Sequence, residues 1–220
     1  MKQISHHNNF AYLFFSLVVL LFSAAVVGEV PGSLSEDLFS VMTLLMLLLS
    51  IKSLKADATW RWAVYVVIIS FVLLTILGKL FPHALYVYFL LPALLFFFII
   101  SFVAAAKQVL LDGDIGWNKI VGSLSLYLLL GLIWAVIYLF ILTMDPQAFS
   151  GIEAGGWQEI FSRVAYYSFV TLTTLGYGDI LPTNHIAEFF VYLEAITGVF
   201  YMAIIVASLV SINLAALKKK

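Results

Sequence analysis

Thr171-Leu172-Thr173-Thr174-Leu175-Gly176-Tyr177-Gly178-Asp179 is the stretch on which the fold turns. Hydroxyl residues lead into two glycines that bracket a tyrosine, and an apolar segment, 160–171, comes just before. That segment carries Arg163 and is too short to cross a bilayer, which takes about 17–25 helical residues. A helix that enters a membrane without crossing it must be followed by backbone that is buried in protein or lines a watery cavity. Gly176 and Gly178 suit such backbone, because glycine enters left-handed conformations that other L-residues avoid.

Outward from this stretch, composition sets the solvent. Of the 220 residues 64% are apolar and 10% charged, which leaves too little polar surface to wet a globule. Five long apolar stretches precede it: Phe10 to Gly28, about Leu34 to Ile51, Trp62 to Gly78, Ala84 to Ala106 and Ile120 to Met144. A sixth follows from Phe189 to Ala216. The expected fold is an all-α membrane protein with six transmembrane helices plus a re-entrant helix and its loop. The uncharged part of the second span, Leu38 to Ile51, is short, so Glu36, Asp37 and Lys52 must reach toward headgroups from its ends. The formal charge of −1 comes with no basic stripe, which sets nucleic acid aside as a partner. Zero cysteines remove disulfides and thiolate metal sites, and the four histidines, His6, His7, His83 and His185, lack ligand spacing. No cofactor and no catalysis are expected.

Charge placement tests the six spans. With both termini cytoplasmic, nine of the eleven basic residues fall inside: Lys2, Lys52, Lys55, Arg61, Lys107, Lys119 and Lys218 to Lys220. Only Lys79 and Arg163 fall outside, in agreement with the positive-inside rule. Lys2 followed by Phe10 to Gly28 with Ser23-Ala24-Ala25 also has the form of a secretory signal, but the apolar run is long for one, so an uncleaved first span is expected.

Gly176-Tyr177-Gly178 alone would be a glycine-rich turn around an aromatic. The threonines, the short helix, Asp179 and the two flanking spans supply the context a motif requires. In that context Thr174 to Asp179 resembles the potassium-channel selectivity filter, which has valine where this chain has Leu175. The resemblance covers the fifth span and Trp157 to about Ala216: outer helix, pore helix, filter and inner helix. It implies K+ held by oxygens of Thr174, Leu175, Gly176 and Tyr177, with Gly178 completing the filter and Thr173 at the cavity below. It also implies filter support from Asp179, Tyr166 and Tyr167, a pore-helix dipole whose negative end favours a cation, and a homotetramer, since one chain supplies one strand of the ring.

Gly198 falls where the family has the glycine that lets the inner helix bend, although small residues also serve close helix packing. Glu194 lies one turn earlier inside an apolar run, where a bare charge is costly. It is expected to be protonated, paired or bonded to hydroxyls, and to support the filter from behind. Its replacement by glutamine is expected to disturb selectivity, inactivation or assembly.

Residues 1–110 read as a four-helix transmembrane domain resembling a voltage-sensor bundle, 111–119 as a linker and 120–220 as the pore domain. The fourth span carries no basic residue before Lys107, so steep voltage gating is not expected. Pro92 is expected to kink that span. Asp112-Gly113-Asp114 is too short a run of ligands for a calcium loop. The sequence thus predicts a multi-pass plasma (cell inner) membrane subunit conducting K+ passively. Two alternatives stay open: a weakly selective cation channel, and a silent or regulatory subunit.

Overall fold

The computed structural model describes residues 9–30, 32–54, 58–80, 84–111, 117–153 and 155–217. Lys2, His6, His7, Lys55, His83, Asp112-Gly113-Asp114 and Lys218 to Lys220 lie outside the described residues. The elements are α1 (Asn9–Glu29), α2 (Ser33–Ser53), α3 (Ala58–Leu80), a 3-10 turn (Ala84–Tyr86), α4 (Val87–Leu111), α5 (Trp117–Met144), β1 (Phe149–Ser150), α6 (Trp157–Leu172), β2 (Leu181–Pro182) and α7 (His185–Leu217). Among the described residues six helices are long and apolar enough to cross a membrane: all except α6. The second stretch, the shortest in apolar residues, forms a helix of 21 residues. Backbone hydrogen bonding carries it past its charged ends, whereas hydropathy registers only the apolar middle. α4 runs unbroken as one helix through Pro92.

Long apolar helices in lipid satisfy their backbone internally, so what fixes their arrangement is side-chain packing and a few polar ties. α1 buries a stripe at three- and four-residue spacing, Leu13, Leu17, Leu20, Ala24 and Val27, while Phe15 and Phe22 on its other face stay exposed. α5 sits at the centre and packs on α1, α4, α6 and α7. α3 is peripheral, with Val64, Val67 and Phe71 buried and Trp62, Val66 and Ile69 exposed.

The ties fix which ends lie together. The Phe10 amide donates to Asn118 Oδ1 at 3.1 Å, joining the starts of α1 and α5 at one end of the bundle. At the opposite end Lys79 pairs with Asp37, and the Tyr88 hydroxyl donates to the Thr143 carbonyl at 3.2 Å. The helices therefore run up and down in sequence.

α6 enters from the Thr143 end, where Phe39 of α2 packs on Trp157 and Phe161, with ring centroids 5.7 and 5.3 Å apart. It stops at Leu172, beside Gly198 of α7. Gly198 lies thirteen residues beyond His185, about 20 Å along the helix at 1.5 Å per residue. The chain then returns to the entry end, where β2 pairs antiparallel with β1 (Phe149 opposite Pro182, Ser150 opposite Leu181). Among the described residues this two-residue ladder is the one addition to an otherwise all-helical expectation, and it clips the loop after α5 to the segment after Asp179.

The α1–α6 contact is made within one chain. A Cβ built on Gly28 would lie 3.4 Å from Ser162 Cβ, close to the 3.5–4.5 Å of a disulfide. In this cysteine-free sequence, Gly28→Cys with Ser162→Cys is expected to form a bridge that leaves a denaturing gel at monomer size. A ladder of cross-linked oligomers would show that the contact belongs to neighbouring subunits.

Candidate functional site

The site begins at the C-terminus of α6. Four carbonyls at a helix end lack intrahelical partners, and the following chain folds back to meet them. The Thr174 amide donates to the Thr171 carbonyl at 2.9 Å, and the Leu175 and Gly176 amides both donate to the Val170 carbonyl, at 2.9 and 3.3 Å. Thr173 Oγ1 donates to the Phe169 carbonyl at 2.7 Å. The chain thus leaves the helix in a tight wrap and turns into residues 174–179.

Thr174, Gly176 and Gly178 have φ of 59°, 58° and 77°. Left-handed backbone at every second residue is the geometry that turns successive peptide planes toward one side. Sequence reasoning anticipates the two glycines and not the threonine. A β-branched residue in this region is an outlier, and such strain gathers at functional sites.

Residues 173–179 are exposed, between Leu172 and Ile180, which are 1% and 2% exposed. Leu175 is 56% and Tyr177 66% exposed. A leucine and one face of a tyrosine are thus held open between two buried anchors in the single chain.

The far side of the segment is braced. The Tyr166 and Tyr177 rings stack, centroids 6.5 Å apart and planes 9° from parallel. The Tyr166 hydroxyl faces the Asp179 carboxylate. Arg163 sits 5.8 Å from the Tyr166 ring centroid and donates through Nη2 to the Gly151 carbonyl at 3.1 Å. Gly151 has φ +82°, and a Cβ there would overlap the Asp179 carbonyl, so only glycine lets the β1 loop lie this close. The Thr183 amide donates to the Ala148 carbonyl at 2.9 Å, and Asn184 Nδ2 donates to Asp145 Oδ2 at 2.8 Å. The β1–β2 clip, Arg163 and Gly151 were not singled out from sequence. No local signal pairs 148–151 with 179–183, because the contact spans some thirty residues.

The other expected residues divide. Tyr166 stands at Tyr177 and Asp179 as described, whereas Tyr167 points into a buried aromatic group, 5.3 Å from Tyr138 and 5.5 Å from Phe149. Glu194 is 0% exposed: the Tyr138 hydroxyl donates to its Oε2, and Ser168 Oγ lies 2.6 Å from its Oε1. Gly198 meets the end of α6 so closely that a Cβ would overlap the Leu172 carbonyl. The close-packing account of this glycine therefore has a direct structural basis.

A family model described as ion channel matches residues 124–214, under half of the chain. The matched range takes in most of α5, all of α6, the 173–184 segment and most of α7. No curated protein matches the chain. Over that range the chain is similar to ion channels. The likeness to ion channels is confined to that range, and six helices among the described residues have the length and apolarity of membrane spans.

Proposed function

We propose that the chain is one subunit of a homotetrameric, potassium-selective channel, with Thr174, Leu175, Gly176, Tyr177 and Gly178 as its filter. The observation that carries this reading is the alternation of left-handed backbone at Thr174, Gly176 and Gly178, in an exposed segment at the end of a helix that stops within the bundle. Carbonyls turned to one side, repeated around an axis, replace the hydration shell of K+. One strand is a quarter of such a ring, and exposed Leu175 and Tyr177 are the faces that neighbouring copies would cover. α6 acts as the pore helix, α5 as the outer helix and α7 as the inner helix, with Thr173 at the cavity below the filter, Gly198 as the place where α7 bends, and Asp179, Tyr166, Tyr167 and Glu194 behind the filter.

In this reading the other four spans complete a six-span subunit of the plasma (cell inner) membrane with both termini cytoplasmic. A fourth helix with no basic residue before Lys107 gives the field little to act on. Conduction is passive, K+ is the permeant ion, and no bond is made or broken. Purified protein in liposomes is expected to pass K+ and to be blocked by barium. Silence of the purified protein alone would favour a regulatory subunit, and equal passage of Na+ a weakly selective pore.

A further inference from the structure

Glu194 carries its information in the protons around it. Its carboxyl lies in the interior of α7 at 0% exposure, and its polar partners are two hydroxyls, Tyr138 of α5 at Oε2 and Ser168 of α6 at Oε1. Ser168 Oγ is also 2.7 Å from the Gly131 carbonyl of α5. A serine hydroxyl owns one proton, and Ser168 makes two contacts at hydrogen-bond distance. The Gly131 carbonyl has no proton to give. Both short contacts are met in full when Ser168 donates to Gly131 and the proton between Ser168 and Glu194 comes from the carboxyl. Every atom is then satisfied in one chain of donors: Tyr138 O–H to Oε2, Oε1–H to Ser168 Oγ, and Ser168 O–H to Gly131.

We propose that Glu194 is held as a neutral carboxylic acid and acts as a latch, one protonated group tying the inner helix to the pore helix and to the outer helix behind the filter. It is a positioning residue, acting on permeant ions through Ser168 and α6. Ser168 is five residues before Thr173, so a shift of α6 at this point moves the whole wrap of residues 173–176. The titratable side chains that face Glu194 are Tyr127 and Tyr138 of α5 and Tyr167 of α6. Among the described residues none that faces it is basic, so a carboxylate here would have no cation opposite. The sign follows. Raising the pH withdraws the latch proton, Ser168 turns its hydroxyl to the new carboxylate, and the Gly131 carbonyl is left without it. The closed latch belongs to the low-pH side and its loss to the alkaline side. The proposal rests on the channel reading for its effect on flux and on geometry alone for the proton.

The proton accounting revises the expectation for glutamine. An amide offers the same pattern as a neutral acid, a donor to Ser168 and an acceptor for Tyr138, so Glu194→Gln should rescue what Glu194→Ala removes. In reconstituted membranes, wild type minus E194Q infrared spectra at neutral pH are expected to contain a protonated-carboxyl band. E194Q flux should stay within about twofold of wild type, while E194A, which leaves the buried Tyr138 hydroxyl without an acceptor, should fall by about tenfold or more. Wild-type flux should decline on alkalinisation more than E194Q flux. Absence of the acid band, or E194Q as impaired as E194A, overturns the latch. If no variant conducts, the channel reading fails, and the infrared band still decides the protonation of Glu194.

Discussion

Gly178→Ala is expected to abolish selective K+ flux from reconstituted protein while leaving folding and membrane insertion intact. At this position φ is +77°, and a Cβ would meet nothing within 4 Å in the single chain. Crowding inside the subunit is therefore not the cause of the loss. The cause is backbone hand: an L-residue with a Cβ disfavours this region by about 1–2 kcal/mol. In the proposed tetramer that becomes about 4–8 kcal/mol. Released toward the right-handed side, the peptide plane turns its carbonyl away from the ion path. Since about 1.4 kcal/mol is a factor of ten, flux should drop well below a tenth of wild type. Gly176→Ala, at φ +58° and equally open around its Cβ, should behave alike. Undiminished selective flux in either variant would contradict the assignment of this backbone to ion coordination.

The second large effect is expected at Gly198. A Cβ there would overlap the Leu172 carbonyl, a backbone oxygen that cannot swing aside as a flexible side chain could. Gly198→Ala must push α7 away from the end of α6, just where the chain wraps back through the Val170 carbonyl. Overpacking of this kind costs about 1–3 kcal/mol per site. Thermal stability of the detergent-solubilised protein should fall together with flux. A glycine serving only as a bend would instead change open probability and leave stability unaltered. Both quantities unchanged would remove Gly198 from the account altogether.

Much of this arrangement is legible in the sequence, for a physical reason. Bilayer solvent forces apolar runs of spanning length, so six long helices and one short one follow from hydropathy and length. Gly176 and Gly178 announce left-handed backbone because only glycine takes it freely, and both have it. The depth of Glu194 is likewise visible as one acid in an apolar run. What escapes is what depends on distant pairing. Thr174 takes a left-handed φ of 59° with no residue-type signal, because the wrap at the end of α6 imposes it. Tyr166 and Tyr167 are adjacent in sequence, yet a helix turns successive residues about 100° apart. One therefore stacks on Tyr177 and the other joins Tyr138 and Phe149. The partners of Glu194, Ser168 and Tyr138, lie 26 and 56 residues away, and neither is distinguished in its own stretch. The packing of α1, read as part of the four-helix domain 1–110, on α6 of the pore domain is of the same kind.

The reversal potential of purified protein in a planar bilayer, with K+ on one side and Na+ on the other, tests the central claim most directly. A ring of backbone oxygens from residues 174–177 predicts a potential close to the K+ equilibrium value that collapses in Gly178→Ala. A reversal potential near zero from a conducting wild-type channel, reporting equal passage of the two ions, would contradict it.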